Sequence, residues 1–154
     1  MHRFTNQNGI NLIKHFEGFR ETPYVCSGGY LTIGYGHKLL PSDRFNAITI
    51  EKAEKLLKKD LMRSERAVLK YINHQLDDYQ FAALVSFTFN LGPAALQRSS
   101  LRAKINYGEI FEASKEFKKW VYAGGKRVSG LVKRRRMESE MFLHSYCGEY
   151  SEFF

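Results

Sequence analysis

The chain has 154 residues, 44% of them hydrophobic and 14% aromatic, and a formal net charge of +8. That composition is globular and long enough to bury a core without staples, which excludes a disordered or fibrous chain. No apolar run approaches the roughly 20 residues a bilayer span needs, and the opening MHRFTNQNGIN is too polar for a signal peptide. The positive surplus favours a polyanionic partner: nucleic acid, an anionic membrane surface or an anionic wall polymer.

The first element lies in NQNGINLIKHFEGF, where Ile10, Leu12, Ile13 and Phe16 form a helical stripe. Glu17 follows on that stripe at the helix end, with Gly18 as the stop. Pro23 closes the helical option, and YVCSGGYLTIGYG reads as an extended hairpin around Ser27-Gly28-Gly29. A long helix begins at Thr49, its N-cap, with Glu51 in the first turn and Ala53, Leu57, Leu61, Val68 and Ile72 at helical spacing. Asp77 or Asp78 caps the next helix, DDYQFAALVSFTFNLG, which is apolar nearly all round and is expected at the centre of the core. Pro93 is read as lying just past that helix's end.

Three more helices are expected at about 99–107, 109–122 and 130–146, with AGGKRVSG as the loop between the last two. Ser99 is read as a cap and Gly108 as a stop. The outline is α+β: a small N-terminal antiparallel hairpin or sheet, about 20–45, packed beside a mainly helical lobe, about 49–146, in one domain over 1–154.

The two cysteines, Cys26 and Cys147, are too few and too far apart for a disulfide framework, and a 26–147 bridge is not expected. The histidines are scattered without CxxC or HxxxH spacing, so neither a structural metal nor a cofactor is expected.

Eight residues separate Glu17 from Cys26, and five separate Cys26 from Thr32. A two-residue Gly28-Gly29 turn would pair Val25 with Thr32 and send the thiol and hydroxyl to opposite faces. A three-residue turn pairs Cys26 with Tyr30 and Tyr24 with Thr32, so that both share a face; Gly29 could supply the left-handed residue such loops end in. A five-residue connection keeps the same parity. The spacing therefore permits the thiol and hydroxyl to meet where the first helix delivers Glu17.

The pattern Glu, eight residues, Asp or Cys, five residues, Thr resembles the signature of the phage-type lysozymes, the endolysins of glycoside hydrolase family 24. The flanking words FEGFR and LTIGYGH fit it, as do ALVSFTFNLG, SSLRAKINYGE, EFKKWVYAGGK and GLVKRRRMESEMFL, so the likeness runs over roughly residues 10 to 146. The resemblance implies a lysozyme-like fold and hydrolysis of the β-1,4 bond between N-acetylmuramic acid and N-acetylglucosamine in peptidoglycan. It implies that Glu17 is the general acid, that Cys26 fills the position usually held by aspartate, and that Thr32 helps hold the attacking water. It places Lys38, Phe89, Ser100 and Ser114 at sugar-contacting positions. A thiol needs its thiolate form to act as a base, and Arg20, Lys38 or a protonated His37 are the cations expected to favour it.

Each residue also has a plainer reading. Glu17 could simply pair with Arg20, Phe89 could belong to the core, Ser100 could start a helix, and His37 could brace the hairpin. Nine Lys or Arg and one acid fall between Lys115 and Arg136, but no nucleic-acid motif accompanies them. The expected partner is the peptidoglycan glycan strand, with no specific nucleic acid, at most peripheral membrane contact, and a monomeric enzyme. The expected setting is a phage or prophage endolysin made in the host cytoplasm and acting on the wall in the periplasm. The alternatives are an antibacterial effector lysozyme and a wall-binding module without turnover.

Overall fold

A computed structural model of the chain describes residues 1–146. Helix α1 (Gln7–Glu17) starts where the Asn6 side chain accepts the Gly9 amide at 2.9 Å, and it stops at Gly18. Its buried Ile10, Leu12 and Ile13 fasten it to the core, which fixes the position of Glu17 on its last turn.

A three-stranded antiparallel sheet follows, in the order β1 (Arg20–Val25), β2 (Leu31–Gly34), β3 (His37–Lys38). Tyr24 pairs with Thr32 and Val25 with Leu31, and the Cys26 amide donates to the Tyr30 carbonyl at 2.9 Å. The connection is therefore the three-residue turn Ser27-Gly28-Gly29. The Gly29 amide closes it onto the Cys26 carbonyl at 2.9 Å, with φ at 82° in the left-handed region.

Helix α2 (Ile50–Tyr71) is capped by Thr49, whose side chain accepts the Lys52 amide at 3.2 Å. Helix α3 (Asp78–Leu91) opens with a capping box, in which the Asp77 side chain accepts the Gln80 amide at 2.8 Å and the Gln80 side chain accepts the Asp77 amide at 2.9 Å. Every residue of α3 from Gln80 to Thr88 is buried, because α1, α2, α4 (Pro93–Arg98) and α7 (Ser129–Phe142) all pack against it. Phe87 meets the rings of Phe117 and Trp120 edge-on at 5.7 and 5.6 Å. Complete burial of a side chain such as Phe81, Leu84 or Phe87 is worth about 1.5–3 kcal/mol, so this helix carries much of the stability on which the sheet and α1 rest.

The helical lobe departs from the sequence expectation in four places. Pro93 opens α4 instead of merely following α3, since its ring suits the first helical position, where no amide partner is needed. Ser99 then caps α5 (Ser100–Asn106) by accepting the Arg102 amide at 3.0 Å. The helix expected at 109–122 ends early: α6 (Ile110–Glu116) tightens into a 3-10 turn at Phe117–Lys119. The expected 123–130 loop contains a second antiparallel pair, β4 (Tyr122–Ala123) and β5 (Lys126–Arg127), joined by Gly124-Gly125.

The last helix, expected at 130–146, is α7 and ends at Phe142. No described helix is long and apolar enough to cross a membrane. Cys26 carries a free thiol, and the question of a 26–147 bridge falls on Cys147, outside the described residues.

Candidate active site

Strand parity decides which side chains of the sheet act together. With Tyr24 opposite Thr32 and Thr32 opposite Lys38, these three share a face, and Cys26 and Tyr30 join them two residues along. The Lys38 ammonium lies 3.2 Å from the Tyr30 ring centroid, and the Arg20 guanidinium lies 4.5 Å from that of Tyr24. Thr32 is buried and its hydroxyl donates to the Tyr30 carbonyl at 3.0 Å.

The Cys26 thiol is held below its ordinary value of 9.0, first by the Thr32 hydroxyl and then by the backbone amides of Tyr30 and Gly28. A hydroxyl has one proton. The Thr32 proton rests on the Tyr30 carbonyl. The cations expected from sequence are engaged elsewhere: Arg20 and Lys38 on tyrosine rings, and His37 between two carboxylates. His37 braces the fold, with Nδ1 2.7 Å from Asp60 Oδ2 and Nε2 3.3 Å from Asp43 Oδ2. Hydrogen bonding within the hairpin, not a neighbouring cation, favours the thiolate.

Glu17 stands between the sheet and the helical lobe. Its Oε1 accepts the Arg134 Nη1–H at 2.9 Å, a partner 117 residues away. Its Oε2 faces the turn between β2 and β3, where a Cβ built on Gly36 would lie 3.0 Å from that oxygen. The Arg20 pairing considered from sequence is replaced by Arg134. The Glu17 side chain keeps 23% of its surface exposed, so solutes can reach it, whereas that of Arg134 keeps 5%.

Arg134 belongs to a buried charged cluster that sequence reading assigned only to a basic run. Arg135 and Glu138 are fully buried and paired with each other, and Arg135 also reaches Asn90 and, at 3.0 Å, the Trp120 carbonyl. Burial pushes the Glu138 carboxyl up, against the pull of Arg135 and Arg134, and pushes Arg135 down. The signal was present in the sequence: Glu138 follows Arg134 and Arg135 by four and three residues, the spacing at which helical side chains meet.

The remaining expected contact residues sit differently. Lys38 is exposed, beside Thr32 on the sheet face. Phe89 is half-buried and packs on the core. Ser100 is exposed on the first turn of α5. Ser114 is buried, and its hydroxyl is spent on the Phe111 carbonyl at 2.6 Å.

A carboxyl accessible between two structural layers, set against the turn of a sheet whose face bears a thiol and a hydroxyl, offers groups suited to proton transfer. The profile of the phage lysozyme family matches residues 14–138. The endolysin of Bacillus phage B103 is 45% identical over 140 residues, which are 90% of this chain and 53% of that protein. The endolysin of Acyrthosiphon pisum secondary endosymbiont phage 1 is 38% identical, over 89% of this chain and 96% of that protein.

The solved endolysin from Escherichia coli O157:H7 phage FAHEc1 superposes with a TM-score of 0.84 at 34% identity, covering 94% of this chain and 96% of that one. The muramidase domain of SpmX from Asticaccaulis excentricus gives 0.83 at 34% identity, over 93% and 99%. The chain spans about half the length of the endolysins of Bacillus phages B103 and PZA that it matches.

Proposed function

The chain belongs to the phage lysozyme family, and from that membership we propose that it is a peptidoglycan hydrolase. It cleaves the β-1,4 bond between N-acetylmuramic acid and N-acetylglucosamine and serves in cell lysis as an endolysin. The observation that carries the reading is the placing of Glu17, accessible and held by Arg134, against the turn of the same sheet whose face bears Cys26 and Thr32.

The two sides of the bond need an acid and a base. Glu17 gives its proton to the glycosidic oxygen as the carbon–oxygen bond breaks and the electron pair moves to the leaving sugar. Oε2, which takes no hydrogen bond among the described residues, is the oxygen that delivers it. Arg134 Nη1 then holds a full carboxylate on Oε1. A charge-assisted bond strengthens as that charge develops, so it favours the transition state over the bound substrate.

On the opposite face, water attacks the anomeric carbon and passes a proton to the Cys26 thiolate. The Thr32 hydroxyl orients that water. The product has inverted configuration, whereas direct attack by sulfur would retain it. Solvent returns the proton from Cys26 to Glu17.

The test is digestion of purified peptidoglycan with mass spectrometry of the products. Fragments ending in reducing N-acetylmuramic acid support the reading. Intact glycan strands that nonetheless bind the protein would favour a wall-binding module. Affinity for duplex DNA with a steep salt dependence and no digestion would favour a nucleic-acid partner.

A further inference from the structure

The proposed reaction uses Arg134 but not the two buried groups on its far side, Ser86 of α3 and Glu138 of α7. Four charges alternate from the surface inward: Glu17, Arg134, Glu138 and Arg135. Charge balance alone would let Glu138 spend both oxygens on Arg135. Instead its oxygens divide. Oε1 pairs with Arg135 Nη1, while Oε2 accepts the Ser86 hydroxyl at 2.6 Å and faces Arg134 Nε at 3.5 Å.

That division fixes the direction of the Ser86 hydrogen bond. The Ser86 hydroxyl is the donor in that bond, so its single proton goes to Glu138. The Ser86 oxygen is left with lone pairs for Arg134 Nη2–H at 3.3 Å, beside the Ser86 carbonyl at the same distance. Arg134 Nε has no hydrogen bond among the described residues. Its guanidinium is therefore oriented on the inner side by Ser86 and the Glu138 charge, and on the outer side by Glu17 and by the Phe16 ring, whose centroid lies 5.6 Å away. Asn90 and the Trp120 carbonyl hold Arg135, which in turn fixes Glu138 Oε1.

We infer that Glu138 and Ser86 are positioning residues for the catalytic acid, setting the guanidinium of Arg134 and through it the carboxyl of Glu17. This inference deepens the lysozyme reading and rests on it for its catalytic consequence. A merely structural ion cluster would affect stability and leave the folded enzyme's turnover alone. A positioning cluster lowers kcat and spares KM, since the sugar-binding surface is untouched.

The experiment compares wild type, Glu138→Gln, Ser86→Ala, Arg134→Met and the two double variants built on Arg134→Met. Folded fraction is followed by circular dichroism, and kcat and KM are measured on solubilised peptidoglycan. Glu138→Gln and Ser86→Ala each lose kcat by up to about 100-fold, the scale set by a displacement near 1 Å, with KM unchanged. In the Arg134→Met background neither substitution costs anything further.

A second arm needs no turnover. The carbon-13 signal of the Glu17 carboxyl moves in Glu138→Gln and in Ser86→Ala, although neither residue touches Glu17. An unmoved Glu17 signal, or losses in kcat that simply add to that of Arg134→Met, would overturn the inference. If the wild type digests no peptidoglycan, the lysozyme reading fails, and the Glu17 signal still decides whether Glu138 sets its position. If Glu138→Gln does not fold, Ser86→Ala carries both arms.

Discussion

Gly36→Ala tests how closely the sheet must approach the acid. Gly36 has φ at 80°, so any other residue there takes on left-handed strain of about 1–2 kcal/mol. For a chain of this size that lowers the melting temperature by roughly 2–8 °C. The new methyl would also lie 3.0 Å from Glu17 Oε2, so the carboxyl must give by a few tenths of an ångström. Taking about 100-fold per ångström as the scale, a shift of roughly 0.3 Å costs about fourfold in kcat.

Gly125→Ala is the control. Its φ of 77° brings the same strain, but nothing lies within 4 Å of the added carbon. The assay is kcat on solubilised peptidoglycan together with thermal melting of both variants. The account expects similar losses of stability and a loss of kcat in Gly36→Ala alone. Full turnover in Gly36→Ala, or equal losses in both variants, would refute it.

Cys26→Asp retains activity and Cys26→Ser loses about 100-fold or more, as removal of a general base should. The base acts deprotonated, so wild-type activity rises as pH climbs through the thiol's lowered value; an aspartate, with an ordinary value near ~3.9, moves that limb to more acid pH. A pH–rate profile unchanged in Cys26→Asp would remove the thiol from the reaction. The Asp43 carboxyl is held below its ordinary 3.8, first by the Leu40 amide. Its stabilising contribution is therefore present above that value and is lost as pH falls through the lower folded one. Melting temperature against pH should accordingly fall less steeply below about pH 4 in Asp43→Asn, and parallel curves would contradict the assignment. Leu84→Ala, at a fully buried position of α3, costs about 2–5 kcal/mol in denaturant unfolding, with kcat per folded molecule unchanged.

What the sequence disclosed follows the range of the interactions. Cys26 and Thr32 lie within one hairpin, so strand parity reduced their relation to the turn length, which the sequence left open and the Ser27-Gly28-Gly29 turn decides. The buried α3 was visible from its lack of a polar face, and its Asp77 cap from local chemistry. Arg134 was not visible as the partner of Glu17, because it lies 117 residues away and charged residues are seldom buried.

Shorter elements were missed for other reasons. Strands β4 and β5 have only two residues each, too few for an alternating pattern, although Gly124-Gly125 is a hairpin turn signal. Pro93 does lie just past the end of α3, as read, but the short α4 that it opens was missed, since proline serves both ends of the same boundary. The burial of Ser114 and its bond to the Phe111 carbonyl were not legible from the resemblance that places it among the sugar-contacting positions.

The claim on which the account depends is that the Glu17 carboxyl protonates the leaving sugar. Glu17→Gln keeps the side-chain length and an oxygen to accept from Arg134, so the fold should survive while the proton is lost. The direct measurement is reducing-end release from purified peptidoglycan by wild type and Glu17→Gln at matched folded concentration. The account predicts steady release by the wild type and a rate lower by about 100-fold or more in the variant. Equal rates in the two proteins would contradict it.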